Sequence, residues 1–545
     1  MNWLRDRARI IELAAAGWLT LMLAAVHFIV LTKAGALWRD EISSLHLANM
    51  PTLRGFWSSL VYDPCPAFYF LLLRGWSALG LAGSDFNLRI LGVVIGLGVI
   101  AALWWSCWRI NRAAPLWPLA LFALNPITFQ FGDSLRAYGV ALIWIILCFT
   151  AIWEMTFRAV RLRTILFAIV AAVLTVQSLI TSSLVLFAIC AASLAISARR
   201  RRWERFAVVL GAGAIAAASL LVYLPTFRRT HEWSLICVDT TNYLTILLSY
   251  ANALAIGNNA ALYFWAGLIA IGLVLAIVAQ IPARHWRFAQ DRQDEFLFGA
   301  IALIIATAAM LAFFRNVGWF TSPWYFLPLM AVSILCLHAI TTAIVKIEWR
   351  VLAAIAAAGL SLLLVPATTH YAVMSRTNAD VVAATVAQRA TKDDLIVVSP
   401  YFYAVSFHRY YNGVAPWTAL PAVDDYSLHR WDLLKRAMQT PDAINQTLDR
   451  VRATLDSGHI VFLVGAFPPG ASAKPAALPP APNAIAGWSF QAYVRNWGQQ
   501  TSYLVHQHAS RATFYLMKEN APINPLEHLG IIAVHGRAPA IAAAN

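Results

Sequence analysis

The sequence predicts an α-helical polytopic membrane protein of about 11 transmembrane helices, with an α/β domain at its C-terminal end. Three observations carry this. Of 545 residues, 60% are hydrophobic and only 12% charged, against about 25% charged in an ordinary soluble domain. Apolar runs of about 20 residues, the length that crosses a hydrocarbon core, recur as far as residue 366. Beyond residue 370 the pattern changes to helices alternating with short buried strands. The 22 Trp and 17 Tyr suit a chain with many membrane–water boundaries, where amphipathic rings are favoured.

Taken in order, the expected spans are 11–32, 86–108, 115–131, 137–157, 164–179, 183–198, 206–225, 262–282, 296–314, 324–345 and 349–366. The first follows Arg5, Arg7 and Arg9 and has no small-residue cleavage site after it, so it reads as an uncleaved span. The run 164–198 is too long for one helix, and the polar "QSLITSS" (177–183) divides it. Basic residues set the orientation. With the N-terminus inside, each inner segment is basic: Arg109/Arg112, Arg158/Arg161/Arg163, Arg199–Arg202, Arg284/Arg287/Arg292 and Lys346/Arg350. Topology thus explains the net charge of +15 and the Arg199–Arg202 run, and nucleic acid is not needed as a partner. An odd number of spans leaves the C-terminal region outside.

The run "PAFYFLLLRGWSALGLA" (66–82) tempts one to a twelfth span, but it holds Arg74 and would invert every later loop. It is therefore expected to lie along the outer interface or re-enter, inside a long first outer segment, 33–85, with two short helices. The domains are then 1–369 in the membrane and 370–545 outside it.

In the outer domain, "LIVVS" and "SGHIVFLVGAF" read as a buried strand and a helix-to-strand step, and "WSFQAYVRNW" and "ATFYLMK" as further strands. A Pro/Ala-rich loop covers 468–484. No phosphate-binding glycine loop and no zinc spacing is present. Of six Cys, four fall in apolar runs, while Cys65 and Cys237 lie outside the spans, where a pair is open to them.

The feature that points to chemistry is "GALWRDEISSL" (35–45), a doubled carboxylate just past the first span. On spacing alone Asp40 caps a short helix and Glu41 complements its dipole. The stretches "LWRDEISS", "DPCPAFYFLLLRGW", "FNLRILGVVIGLGVIAALW" and "NPITFQFGDSLRAYGVALIWIIL" follow in one order. Their succession resembles the GT-C class of membrane glycosyltransferases, in particular family 39-like enzymes such as protein O-mannosyltransferases and aminoarabinose transferases of lipid A. The resemblance runs over roughly residues 10 to 370 and is most specific in the first 160.

It implies that Asp40 is the catalytic carboxylate and Glu41 its neighbour. Asp63 stands where the family has a polar residue before a Pro pair, although Pro64, Cys65 and Pro66 replace its His-Pro-Pro. "FGDSLRAYG" is similar to the family's turn between the third and fourth spans. There Asp133 takes the acidic place, and Arg136 and Tyr138 match as substrate-binding residues. Trp324 replaces a family Arg at a late span, leaving Arg315 as a weak substitute. The resemblance leaves a divalent metal ion open as a cofactor.

The expected function is transfer of a sugar from a polyprenyl-phosphate donor to a lipid, glycan or protein acceptor, by inverting displacement. The place would be the periplasmic face of a bacterial inner membrane. A carboxylate within reach of the acceptor hydroxyl suits this chemistry, as does positive charge for the leaving phosphate. A flippase for a lipid-linked sugar would carry ionisable groups at mid-span, and the span centres are nearly free of them. An inactive scaffold of the same fold would not need Asp40 ionised.

Overall fold

The computed structural model describes residues 2–63, 65–230, 242–256, 258–281, 289–317, 321–344, 347–468, 473–481, 489–517, 519 and 521–537. Cys237, Pro64, Arg284, Arg287 and Lys346 lie outside these residues.

The first helix, α1 (Asn2–Lys33), ends where Gly35 takes a φ of +66°, a left-handed turn that a side chain disfavours. Three short helices follow instead of the expected two: α2 (Arg39–Ala48), α3 (Leu53–Ser59) and α4 (Ala67–Ala78). Arg74, the residue that excluded a twelfth span, donates to the Ala48 and Met50 carbonyls at 3.0 and 2.8 Å. It thereby satisfies acceptors that the end of α2 leaves open.

The bundle continues with α5 (Asp85–Asn111), α6 (Pro126–Gly132), α7 (Tyr138–Phe157), α8 (Leu162–Ser178), α9 (Ser182–Arg199), α10 (Trp203–Ser219) and α11 (Leu224–Thr230). Then come α12 (Tyr243–Ala255), α13 (Asn259–Val278), α14 (Gln290–Val317), α15 (Leu327–Ile344) and α16 (Ile347–Ala372). Nine helices among the described residues are long and apolar enough to cross a membrane. They answer to nine of the eleven expected spans.

The other two differ. Leu162–Ser178 is a shorter apolar helix. The run 115–131 is broken: a π-helical turn, Pro118–Ala123, stops at Asn125, whose side chain accepts from the Ile127 amide at 2.9 Å and starts α6. Asn-Pro is a turn signal, and Pro126 at the first position of α6 needs no donor there. The apolar helix α12 was not expected. Within the bundle α7 and α15 are the most buried spans, and α1 packs along α16.

The C-terminal region holds α17 (Ala379–Ala387), β1 (Leu395–Ser399), α18 (Tyr403–Tyr410), β2 (Trp417–Ala419), α19 (Trp431–Gln439) and α20 (Asn445–Asp456). It closes with β3 (Ile460–Gly465), α21 (Phe490–His508), β4 (Ala509–Tyr515) and β5 (Gly530–Gly536). The sheet order is β2-β1-β3-β5-β4, parallel across β2, β1 and β3 and antiparallel beyond. Every residue of β1 is buried, as a strand covered on both faces requires.

"WSFQAYVRNW" is the start of helix α21, not a strand. Its aromatic residues favour strands, but Phe490, Tyr493, Trp497 and Leu504 recur at helical spacing and are the side chains α21 buries.

The sheet domain sits on α2. Val405 and Leu428 enter the apolar cluster formed by Leu37, Ile42, Leu45 and Phe56. The Tyr410 hydroxyl accepts from the Leu37 amide at 2.7 Å and donates to Asp85 at 2.5 Å, and Arg409 pairs with Asp85 at 2.6 Å.

Candidate active site

The acidic pair opens α2, and its two members face different surroundings. Trp38 is the N-cap residue, so Asp40 is not the cap that its spacing suggested. Glu41, three residues into the helix, reaches back to the Trp38 amide at 3.3 Å. Its carboxylate also accepts from Arg89 of α5 and from the Leu135 amide at 3.0 Å. Glu41 is completely buried, and these bonds tie α2 to α5 and to the turn before α7.

Asp40 turns the other way, toward the sheet domain. Its carboxylate lies 3.6 Å from His429 Nδ1 and 3.7 Å from Arg39 Nε, beyond hydrogen-bond length in both cases. It is 27% exposed, against 13% for Asp63 and 16% for Arg136. Burial alone would raise its proton affinity. His429, Arg39 and Arg136 outweigh that and hold the carboxyl well below the usual carboxylate range. Asp40 is therefore an anion at neutral pH, shifted away from the direction that would make it a stronger base.

Arg136, which the resemblance offered as a substrate-binding residue, lies beside Asp40 and Asp63. Its guanidinium makes a two-pronged pair with Asp63 and donates to Ser44 Oγ at 2.9 Å and to the Asp40 carbonyl at 3.4 Å. Asp40, Asp63 and Arg136 thus meet across three separate stretches of chain.

Asp133 does not join them. It is buried on the opposite side of the turn, bonded to His27 of α1 at 2.6 Å. A side chain at Gly92 would overlap the Asp133 carbonyl, so glycine there is what lets α5 approach this turn. Tyr138 packs edge-on against Phe131 and forms an aromatic wall. Trp324, in the place of the family Arg, stacks on the same Phe131 with centroids 4.4 Å apart. Arg315 is exposed at the end of α14.

Sequence reasoning missed the groups contributed from far along the chain. The His429 amide donates to Ser43 Oγ at 2.9 Å, and its ring lies 4.4 Å from that of Trp431. Arg39 lies over Phe402 at 4.8 Å and pairs with Glu527 at 3.2 Å. Arg430 covers the ring of Tyr62 at 4.1 Å and pairs with Asp425 and Asp432. The adjacent "HRWD" (429–432) mixes charge and aromatic character, and that was the one sequence signal for this surface.

No group of three or more His, Cys, Asp or Glu among the described residues could hold a metal ion. The two acids beside Asp40 are not open ligands as they stand, because Glu41 is committed to Arg89 and Asp63 to Arg136. A small cavity of about 30 Å³ in the sheet domain, lined by Met438, Ile444, Tyr493 and Trp497, contains none of the acid cluster.

The helix order, the short helices after the first span and the C-terminal α/β domain define a class, and the chain has the GT-C fold. Two crystal structures of ArnT from Cupriavidus metallidurans align with it. The one bound to undecaprenyl phosphate matches at 14% identity over 82% of this chain and 93% of its own, with a TM-score of 0.50. The apo form matches at 14% identity over 83% and 93%, with a TM-score of 0.51. No protein-family model and no curated protein matches the sequence.

Proposed function

We propose that the protein is a polyprenyl-phosphate-sugar-dependent glycosyltransferase of a bacterial inner membrane, with its N-terminus cytoplasmic and its sheet domain periplasmic. The observation that carries this is Asp40. It is an ionised, partly exposed carboxylate just beyond the first span, with Arg39 and Arg136 beside it. The fold is shared with a protein crystallised with undecaprenyl phosphate.

In the displacement, an acceptor hydroxyl oxygen bonds to the anomeric carbon as the bond from that carbon to the phosphate oxygen breaks. The leaving polyprenyl phosphate gains a negative charge, and Arg136 and Arg39 are the groups placed to balance it. The hydroxyl proton must leave, and the Asp40 anion supplies the charge that draws it out. Glu41 positions Asp40 by fixing the start of α2. The sheet domain shapes the acceptor side, since it brings His429, packed against Trp431 and Phe402, to within 3.6 Å of Asp40.

The purified protein, given a panel of polyprenyl-phosphate sugars and acceptors, should release polyprenyl phosphate from at least one. Donor translocation across proteoliposomes with no such release would replace this reading with the flippase one. Reporter fusions after residues 60 and 400 should read periplasmic, and one after residue 205 cytoplasmic.

A further inference from the structure

We propose that His429 Nε2 is the atom that takes the acceptor's proton, with Asp40 the counter-charge that holds the imidazole in place. This rests on the glycosyl-transfer reading above and names the group that acts within it.

The first ground is placement. The His429 backbone is locked to α2 through its amide bond to Ser43, three residues from Asp40, and Nδ1 stands 3.6 Å from the Asp40 carboxylate. An anion 3.6 Å from Nδ1 favours, by its charge, the tautomer with its proton on that nitrogen, which leaves the lone pair on Nε2. Trp431, Tyr401 and Phe402 pack around the ring, with centroids at 4.4, 5.9 and 6.0 Å. This packing restricts its rotation.

The second ground is the absence of a partner. His429 Nε2 and the hydroxyl of the adjacent Tyr401 are both buried and make no hydrogen bond. An unmet buried polar group costs about 1–3 kcal/mol, and native structures keep few of them. The rings of His429 and Tyr401 lie 5.9 Å apart beside the partly exposed Asp40, and a hydroxyl-bearing ligand would supply the partners that both lack. The aromatic rings fit the apolar face of a sugar, so the acceptor class is a polyol or glycan hydroxyl.

The third ground is chemical. The arginines make Asp40 a weak base and a good counter-ion. Burial, together with Arg39, keeps the imidazole below its ordinary value, against the opposing effect of Asp40 and Asp63. The ring is thus neutral and able to accept at pH 7. The step balances: the acceptor oxygen forms its bond to the anomeric carbon, and the phosphate leaves with the electron pair of the broken bond. The proton passes to Nε2, and the resulting imidazolium pairs with Asp40 until it gives the proton to water.

Two measurements test this. In the full-length protein labelled with ¹⁵N-histidine, with no substrate added, the signal lost in His429→Gln should report the Nδ1–H tautomer. An Nε2–H tautomer would overturn the proposal whatever the substrate proves to be. In transfer assays, His429→Gln should lose about 10²–10⁴-fold and should lack the acid limb below pH 6.5 that wild type shows as the imidazole protonates. Imidazole added to His429→Ala should restore part of the rate. A His429→Gln enzyme within a few-fold of wild type, or one that keeps the same acid limb, would return the proton to Asp40. Failure of wild type on every donor would instead count against the glycosyl-transfer reading, and the tautomer would still decide the role of His429.

Discussion

The two ends of the helix bundle use the same residue types to different effect. At the end away from the sheet domain, Glu154 accepts from Arg109 at 2.7 and 2.9 Å and from Arg158 at 2.8 Å. Asp294 pairs with Arg200, and Glu12 takes the Ala114 amide at 2.9 Å and Arg350 at 3.4 Å. Each of these carboxylates is held by at least one arginine, and those arginines tie neighbouring helices together. At the covered end, Glu41 and Asp63 are held in the same way. Asp40 differs from these two: among the described residues its carboxylate has His429 and Arg39 at 3.6 and 3.7 Å rather than a short ion pair, and it stays partly open. A carboxylate used for structure is satisfied wherever the chain can manage it. One left unsatisfied beside cations and unpartnered buried groups marks a place for something else.

The largest effect that could break this contrast comes from Asp40→Asn. The substitution keeps the size and removes no hydrogen bond, so the fold should hold. Transfer, normalised to folded protein, should fall about 10²–10⁴-fold. If it stays near wild type, the difference between the two ends is one of packing alone.

Glu41→Gln should act on the fold. It leaves Arg89 charged and buried without its counter-ion, a change that typically costs about 3–5 kcal/mol. A marked fall in the detergent melting temperature should accompany a smaller loss of turnover per folded molecule than in Asp40→Asn. The reverse order would make Glu41 the reacting group.

A smaller effect depends on pH. Burial pushes the Glu527 carboxyl up to about 7, against the pull of Arg39 and Ser406, from an ordinary value of 4.5. Between those values the folded state binds more protons than the unfolded one, so stability falls as pH rises from 4.5 through about 7. The melting temperature should decline across that window and level off above it. Glu527→Gln should flatten the slope. A profile that rises over the same window would contradict the burial of an unionised Glu527 beneath Arg39.

The least effect is expected at the far end. Glu154→Gln leaves Arg109 and Arg158 partly solvated, where a lost pair is worth about 0–1 kcal/mol. Transfer should be unchanged, and a loss comparable to that of Asp40→Asn would erase the distinction drawn between the ends.

Much of this was legible in the sequence, for reasons that differ by residue. Apolar length marked nine of the spans because a hydrocarbon core demands it. Arg74 kept 66–82 out of the count, and the structure gives that side chain a carbonyl-capping task. The meeting of Asp40, Asp63 and Arg136 was readable only through order of motifs, since no local pattern places residues 40, 63 and 136 together. The pairing of Asp133 with His27 was not legible, because that partner lies 106 residues away inside a span. The individual duties of Asp40 and Glu41 were beyond reach as well. One step along a helix turns a side chain by about 100°, and which of the two faces inward depends on where Arg89 stands. His429 was invisible for the same reason on a larger scale.

The groups that finish the site are made long after the residues they complete. Leu37, Arg39 and Ser43 take their partners from Tyr410, Glu527 and His429, which are 373, 488 and 386 residues further along. A ribosome must add 488 residues after Arg39 before that residue can find Glu527. Until then a nascent chain already threaded into the bilayer holds its acidic loop uncovered. Termination between Ala372 and Glu527 would leave the apolar helices complete around an open, unfinished centre.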